Sequence, residues 1–205
     1  DKDIRMDFRG GCEVIHRSEI LKHIPDLETF RNFVRSRHSV RKFTDKIISV
    51  DVIQDIIRYA LYYPSACNRQ PCKVYYSQDS KKISEMLKFC DNFITREGTI
   101  QNCFIVTSDR SLFHKSELND QEFLNAGIFL AYLVMSIHAH GLGSCLFQTL
   151  QGNAKRQRDI HESFGIRDSE IIACFVGFGE LEENIITACA QRRPVESIAI
   201  NLDTK

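Results

Sequence analysis

The sequence has no surplus of either charge: Lys plus Arg and Asp plus Glu both total 27 over 205 residues. A balanced chain has no global attraction to nucleic acid or to an anionic membrane, so neither is expected as a partner, although local basic patches remain open. Its eight cysteines (Cys12, Cys67, Cys72, Cys90, Cys103, Cys145, Cys174 and Cys189) include no Cys-x-x-Cys pair. That spacing argues against a zinc site or a disulfide framework, and no metal is expected. Buried, reduced thiols in a cytoplasmic protein are expected instead, most of them in apolar runs such as Asn102-Cys103-Phe104-Ile105-Val106. There is no Gly-x-Gly-x-x-Gly, hence no dedicated dinucleotide-binding turn. No Ser-His-Asp or Cys-His set stands out for nucleophilic chemistry. His138 and His140 lie two residues apart, ~200° around a helix, which cannot make a metal pair. The most apolar stretch, Phe123–Ala139, is interrupted by Asn125, Ser136 and His138. It falls short of the ~20 apolar residues of a spanning helix and reads as a buried core helix. No signal pattern, internal repeat or low-complexity segment appears, and the length suits one sizeable domain rather than two.

What is present is ordinary for a soluble globular chain, with 43% hydrophobic and 26% charged residues. Residues 1–26 are mixed in character and read as an irregular N-terminal extension, with a single domain over 27–205. Leu27–Ser36 predicts a helix capped by Asp26, with Leu27, Phe30, Phe33 and Val34 on one side. A second helix opens at Ser49 or Asp51 and runs to about Tyr62, where Pro64 stops it. Lys73–Ser77 is a strand by composition. Asp79 or Ser80 caps a helix to about Phe89, and residues 91–101 read as a polar loop or lid. Cys103–Thr107 is a strand buried on both faces. Glu117–His140 is the longest helix, ended by Gly141 in a left-handed cap. Ser144–Phe147 is a short strand, and Asn153 caps a helix to Phe164, ended by Gly165. Ile171–Val176 is another buried strand, and Val195–Ile200 a terminal one. The mixture without strict alternation predicts an α+β fold: a mostly antiparallel central sheet flanked by helices around a long core helix.

Two polar stretches carry the chemistry. Arg37-His38-Ser39-Val40-Arg41-Lys42-Phe43 follows the first helix and concentrates cations and a hydroxyl. In an extended chain Arg37, Ser39 and Arg41 share one face, offering two guanidinium forks and a hydroxyl to a phosphate or planar anion. Pro64-Ser65-Ala66-Cys67-Asn68-Arg69-Gln70-Pro71 is small, polar and bracketed by prolines, a pre-shaped loop rich in amide groups. Asn68 and Gln70 either serve a ligand or bond locally within the turn.

Together these segments resemble the FMN-dependent nitroreductase family, from about Phe30 to about Glu196. The basic stretch is similar to its opening Arg-x-Ser-x-Arg/Lys-x-Phe motif, and the proline-bracketed loop to its Pro-Ser-x-x-Asn-x-Gln-Pro loop. Gly141-Leu142-Gly143-Ser144 resembles its turn after the long helix. Val176-Gly177-Phe178-Gly179 and Arg192-Arg193-Pro194 resemble its closing strand-and-turn and late basic pair. The resemblance implies a homodimer with FMN in the interface, NADH or NADPH as reductant, and a small organic electrophile of nitroaromatic, quinone or enone type as substrate. Hydride would pass through flavin N5 in a ping-pong cycle, with no side chain required as catalyst. It further implies that Arg37, His38, Ser39 and Arg41, with Arg192 and Arg193, hold the phosphate, ribityl and pyrimidine side. Ser65, Ala66 and Asn68 would come from the other subunit, with Pro64 in the same binding loop and Gln70 either bonding nearby or bracing it. Leu146, Phe147 and Gln148 would lie against the ring, with the Gln148 backbone N–H as candidate donor to N5. Here the sequence departs from relatives that carry Pro and Glu-Gly. Other readings are a specialised family member (a reductive dehalogenase, an enone reductase or a biosynthetic-cluster reductase), a non-catalytic flavin-binding sensor with its ring face blocked by Phe147 or Phe113, and a thiol-metal structural module.

Overall fold

The computed structural model describes residues 12, 14–90, 100–118, 120–147 and 154–204. The chain divides into two units, residues 1–36 and 37–205. In the first, α1 spans Arg17–Leu21 and α2 spans Leu27–Ser36. Asp26 caps α2 as its sequence predicts, with Oδ1 accepting from the Glu28 and Thr29 amides at 3.0 and 2.9 Å. The Thr29 hydroxyl bond to the same carboxyl leads the effects that hold Asp26 below its ordinary pKa. No side chain of α2 is buried, and Leu27, Phe30 and Val34 leave their apolar stripe exposed.

The second unit is built on a four-stranded sheet: β1 (Cys72–Ser77), β2 (Asn102–Asp109), β3 (Leu142–Phe147) and β4 (Glu170–Glu180). Their order is β1-β2-β4-β3, and all three pairings are antiparallel. The helices are α3 (Val50–Ala60), α4 (Ser80–Lys88), α5 (Gln121–Ala139) and α6 (Ala154–Phe164). They cover both faces of the sheet, which is why β2 is buried along its whole length. Side chains alternate between the two layers. Cys103 and Ile105 enter the cluster with Ile83, Met86, Phe147, Ile160 and Phe175. Phe104 and Val106 enter the other, with Ile53, Ile56, Phe129, Leu133 and Ile137. The α+β class and the antiparallel sheet are as expected.

Helix α5 is long and apolar enough, by length and composition, to cross a membrane. Here it is the core helix predicted from its polar interruptions. It buries Glu122, Ala126, Phe129, Leu133 and Ile137 at helical spacing, and the Ser136 hydroxyl donates to Ile56 O at 2.9 Å on α3. Gly141 takes the left-handed cap, with φ 73°.

Three boundaries differ from the expected ones by more than two residues. The long helix begins at Gln121, not Glu117, because Lys115–Glu117 forms its own 3-10 turn and Leu118 is extended. The Glu117 carboxylate accepts from the His114 amide at 2.8 Å and so closes that turn separately. Strand β4 continues through Gly177-Phe178-Gly179, which pair with Cys103, Asn102 and Gly143 rather than turning. Residues Val195–Ile200 form no strand. Val195–Ser197 is a 3-10 turn with exposed side chains, and without a neighbouring strand to pair with among the described residues an extended form has no ladder to join. The expected cap Asn153 and most of the expected 91–101 loop lie outside the described residues.

A buried carboxylate closes one end of the sheet. Glu170 is wholly buried and accepts from Lys73 Nζ at 2.6 Å, Thr107 Oγ1 at 2.6 Å and Tyr75 OH at 3.0 Å. Burial pushes its pKa up, but the bonds from Lys73, Thr107 and Tyr75 together outweigh this and hold it below 4.5. A carboxyl depressed in the folded state stabilises above its unfolded pKa, and that contribution is lost as pH falls through the folded value. Glu170→Gln is therefore expected to cost about 2 kcal/mol at neutral pH, less than a fully buried pair because Lys73 is partly solvated. It should also flatten the loss of stability below about pH 4.5, measured by urea unfolding across pH.

The glycine at 179 answers a close approach. A Cβ placed there would stand 2.9 Å from Phe43 Cβ. Gly179→Ala is expected to destabilise by about 1–3 kcal/mol. The melting temperature should fall by about 2–4 °C per kcal/mol in a chain of this size.

Candidate functional site

The basic stretch is laid across the ends of β3 and β4. Val40 N donates to Ser144 O at 2.9 Å, and Thr44 N to Glu180 O at 3.1 Å. Ser39 bridges Ser144 and Phe43 bridges Leu181. Val40 and Phe43 are the buried side chains of the stretch, so the polar residues between them face out. Lys42 pairs instead with Glu182 at 2.7 Å, an exposed ion pair of little energetic weight.

Arg37 and Ser39 open onto one cavity of about 380 Å³, with Ser144 and Leu146 of β3 and Gly127, Leu130, Ala131 and Val134 of α5. A Cβ added at Gly127 would meet nothing within 4 Å. One wall is thus cationic and hydroxylic, the others small or aliphatic. Arg41 is not among the lining residues; its guanidinium lies 3.4 Å from Ser39 O. Arg41 and Arg37 nevertheless both act on Cys145. Burial raises that thiol's pKa, and the two cations pull the other way without reversing it. Cys145 is a packed thiol, as predicted, and so are Cys90, Cys103 and Cys174. Burial pushes Cys174 up to about 12. Cys12, Cys67 and Cys189 are exposed and Cys72 is half-buried, so the expectation of buried thiols holds for half of the set. Among the described residues no group of three or more His, Cys, Asp or Glu could hold a metal ion.

The strand alternation separates two residues that the sequence reading placed together. Leu146 is exposed on the cavity side, whereas Phe147 is fully buried in the core. The Phe147 side chain is thereby withdrawn from the cavity. Gln148 lies outside the described residues.

The second stretch forms a separate feature. Pro64 and Ser65 lead into a 3-10 turn at Ala66–Asn68, and none of residues 64–70 lines the Arg37 cavity. Ser65 Oγ accepts from Gln70 N at 3.0 Å, and Gln70 Nε2 donates to Asn68 Oδ1 at 3.1 Å, so Gln70 braces the loop. Arg69 Nη1 lies 2.9 Å from both Glu117 carboxylate oxygens, with its guanidinium 5.4 Å from the centre of the buried Phe113 ring. That bond is the first of the effects that raise Arg69 and lower Glu117.

His38 Nδ1 is 3.5 Å from Thr187 Oγ1. Arg192 and Arg193 sit on the exposed tail, and Arg192 Nη1 donates to Ala190 O at 2.7 Å. Neither joins the lining of the Arg37 cavity. Sequence reasoning passed over Gly127 and Asn125 as site elements. Both belong to α5, and the small residue interrupting an otherwise bulky helix was the available signal for the first.

This architecture, with a basic stretch across the β3–β4 ends and a proline-bracketed loop before β1, is the nitroreductase-like fold. The nitroreductase family model matches residues 34–102, which contain both stretches. The resemblance read from the motifs is thereby supported in sequence as well. A Bacillus subtilis protein named as an NAD(P)H nitroreductase, YfhC, is 22% identical over 187 residues, covering 83% of this chain and 89% of its own. A nitroreductase family protein from Streptococcus pneumoniae TIGR4 superposes with a TM-score of 0.73 at 19% identity, covering 84% of this chain and 99% of its own. A Desulfovibrio desulfuricans structure described as a nitroreductase in complex with FMN superposes with a TM-score of 0.72 at 17% identity, covering 87% and 98%.

Proposed function

We propose that the chain is an FMN-dependent oxidoreductase that uses NADH or NADPH to reduce a small organic electrophile of nitroaromatic, quinone or enone type. The observation that carries this reading is the placement of Arg37 and Ser39, with Arg41 close by, at one end of a cavity whose remaining walls are Gly127, Leu130, Ala131, Val134, Ser144 and Leu146. A volume of about 380 Å³ lies within the range of cofactor sites. The donor set fits a group with an anionic end and a flat apolar ring: guanidinium forks and a hydroxyl at one side, aliphatic and small residues at the other. The relatives' names, one of them with FMN bound, support the same assignment.

FMN, when bound, would supply hydride transfer between the nicotinamide and the oxidant. The chain's residues would bind and tune it. Arg37 and Ser39 would hold the phosphate and ribityl side, with His38 beside them and Arg192 and Arg193 brought in from the tail. Arg41 would favour negative charge on the pyrimidine edge. Leu146 would contact the ring, and the Phe147–Gln148 backbone would border it. A homodimer would let the loop at 64–70, with Pro64, Ser65, Ala66, Asn68 and Gln70, complete the site of the other subunit. Apolar side chains left exposed on α5 (Phe123, Leu124, Tyr132) and on the tail (Val195, Ile198, Ile200) support such an interface. A blocked ring face is not favoured, since Phe147 and Phe113 are both buried.

The test is reconstitution. Protein incubated with FMN and desalted should retain flavin absorbance, and anaerobic addition of NADH or NADPH should bleach it. Arg37→Met should weaken FMN binding by about tenfold or more, given the strength of a charge-assisted contact. Protein that retains no flavin and consumes no reduced nicotinamide would overturn the reading. Retention of flavin without bleaching would leave a binding protein rather than an enzyme.

A further inference from the structure

The loop before β1 holds three non-glycine residues in the left-handed region: Cys67 at φ 51°, Asn68 at 54° and Gln70 at 47°. Each such residue costs about 1–2 kcal/mol, so the shape persists only where its surroundings over-determine it. Some of the restraint is internal, through Ser65 Oγ and the Asn68 and Arg69 amides, which donate to Ser65 O and Ala66 O at 3.0 Å. Asp109 N donates to Pro71 O at 2.9 Å at the loop's end, and two further restraints act within it from elsewhere in the fold. One is the Arg69–Glu117 pair over Phe113. The other is a single side-chain amide. Ala66 N donates to Asn125 Oδ1 at 2.9 Å.

Asn125 is 1% exposed in the first turns of α5. Its Nδ2 donates to Gln121 O at 2.7 Å, so both ends of the amide are engaged and Oδ1 is held toward the loop. The same helix lines the Arg37 cavity two residues later, at Gly127. The residue touches none of the groups assigned to the cofactor's phosphate or ring.

We propose that Asn125 is a positioning residue for cofactor binding. It pins the Ala66 amide so that Ser65, Ala66 and Asn68 present their polar groups in one arrangement to the FMN of the neighbouring subunit. This rests on the function proposed above. Asn suits the place because it is short, neutral and able to accept from Ala66 while donating to Gln121. An apolar replacement leaves the Ala66 N–H without its acceptor. Asp keeps the acceptor, and burial favours its neutral acid form, whose hydroxyl can donate to Gln121 O.

The experiment compares FMN dissociation constants and amide hydrogen exchange at Ala66 in the full chain and in Asn125→Leu, Asn125→Asp and Asn125→Ser. Ser retains polarity but is too short to reach Ala66. Expected are an Ala66 amide protected in the wild type and in N125D and unprotected in N125L and N125S. FMN binding should weaken by about tenfold in N125L and N125S and stay within about threefold in N125D. If N125L does not fold, N125S carries the same expectation. N125L or N125S binding FMN as the wild type does would overturn the proposal, and so would N125D binding as weakly as N125L. Wild-type protein that takes up no FMN overturns the function reading itself, and is thereby distinguished from failure of the tether.

Discussion

Two main-chain bonds, Val40 N to Ser144 O and Thr44 N to Glu180 O, fasten the basic stretch across the ends of two strands. They set the path of the segment that carries Ser39, Arg41 and Lys42. With Val40 and Phe43 driven into the core, the residues between them have only the outer side left. The hydrophobic burial of two side chains thus decides the direction of Arg41 and Lys42, and the Val40 bond to Ser144 fixes the backbone from which Ser39 projects. Gly179 belongs to the same constraint, because Phe43 packs where a Cβ would stand. The motif residues at 43 and 179, more than a hundred positions apart, are two halves of one contact.

The cavity and the loop are held by different means. The cavity is a consequence of packing, a gap between α5 and β3 where Gly127 and Ala131 leave room. The loop is held by polar tethers against its own backbone strain, from Glu117 through Arg69 and from Asn125 through Ala66. Helix α5 takes part in both, since its first turns hold the loop and its middle lines the cavity. A buried charge network at Glu170 secures the sheet end at which the loop enters β1, where Lys73, Tyr75 and Thr107 converge from β1 and β2.

Much of the fold was legible in the sequence because it is local. Asp26, Ser49 and Asp79 cap their helices by bonds within three residues, and each was readable as a cap. Apolar continuity marked β2, and the left-handed Gly141 marked the end of α5. The misreadings share a nonlocal cause. The start of α5 was displaced because Glu117 is claimed by His114 and Arg69, the second of them 48 residues away. The strand β4 ran on past Val176 because β2 and β3 both supply ladder partners there. The stretch 195–200 has strand-forming residues and no such partner among the described residues, so it coils into a turn.

The sequence by itself determined the helix caps, the strand-forming segments, the order of the motifs and hence the α+β class, since propensity and periodicity act over a few neighbouring residues. It also determined which residue types were available for an anion. Only the tertiary structure decided which of them meet. Arg37, Ser39 and Leu146 share a cavity while Phe147, one residue on, is buried, because strand register turns successive side chains to opposite faces. Asn125, an ordinary residue in an apolar run, became a partner of Ala66 only when α5 was laid beside the loop.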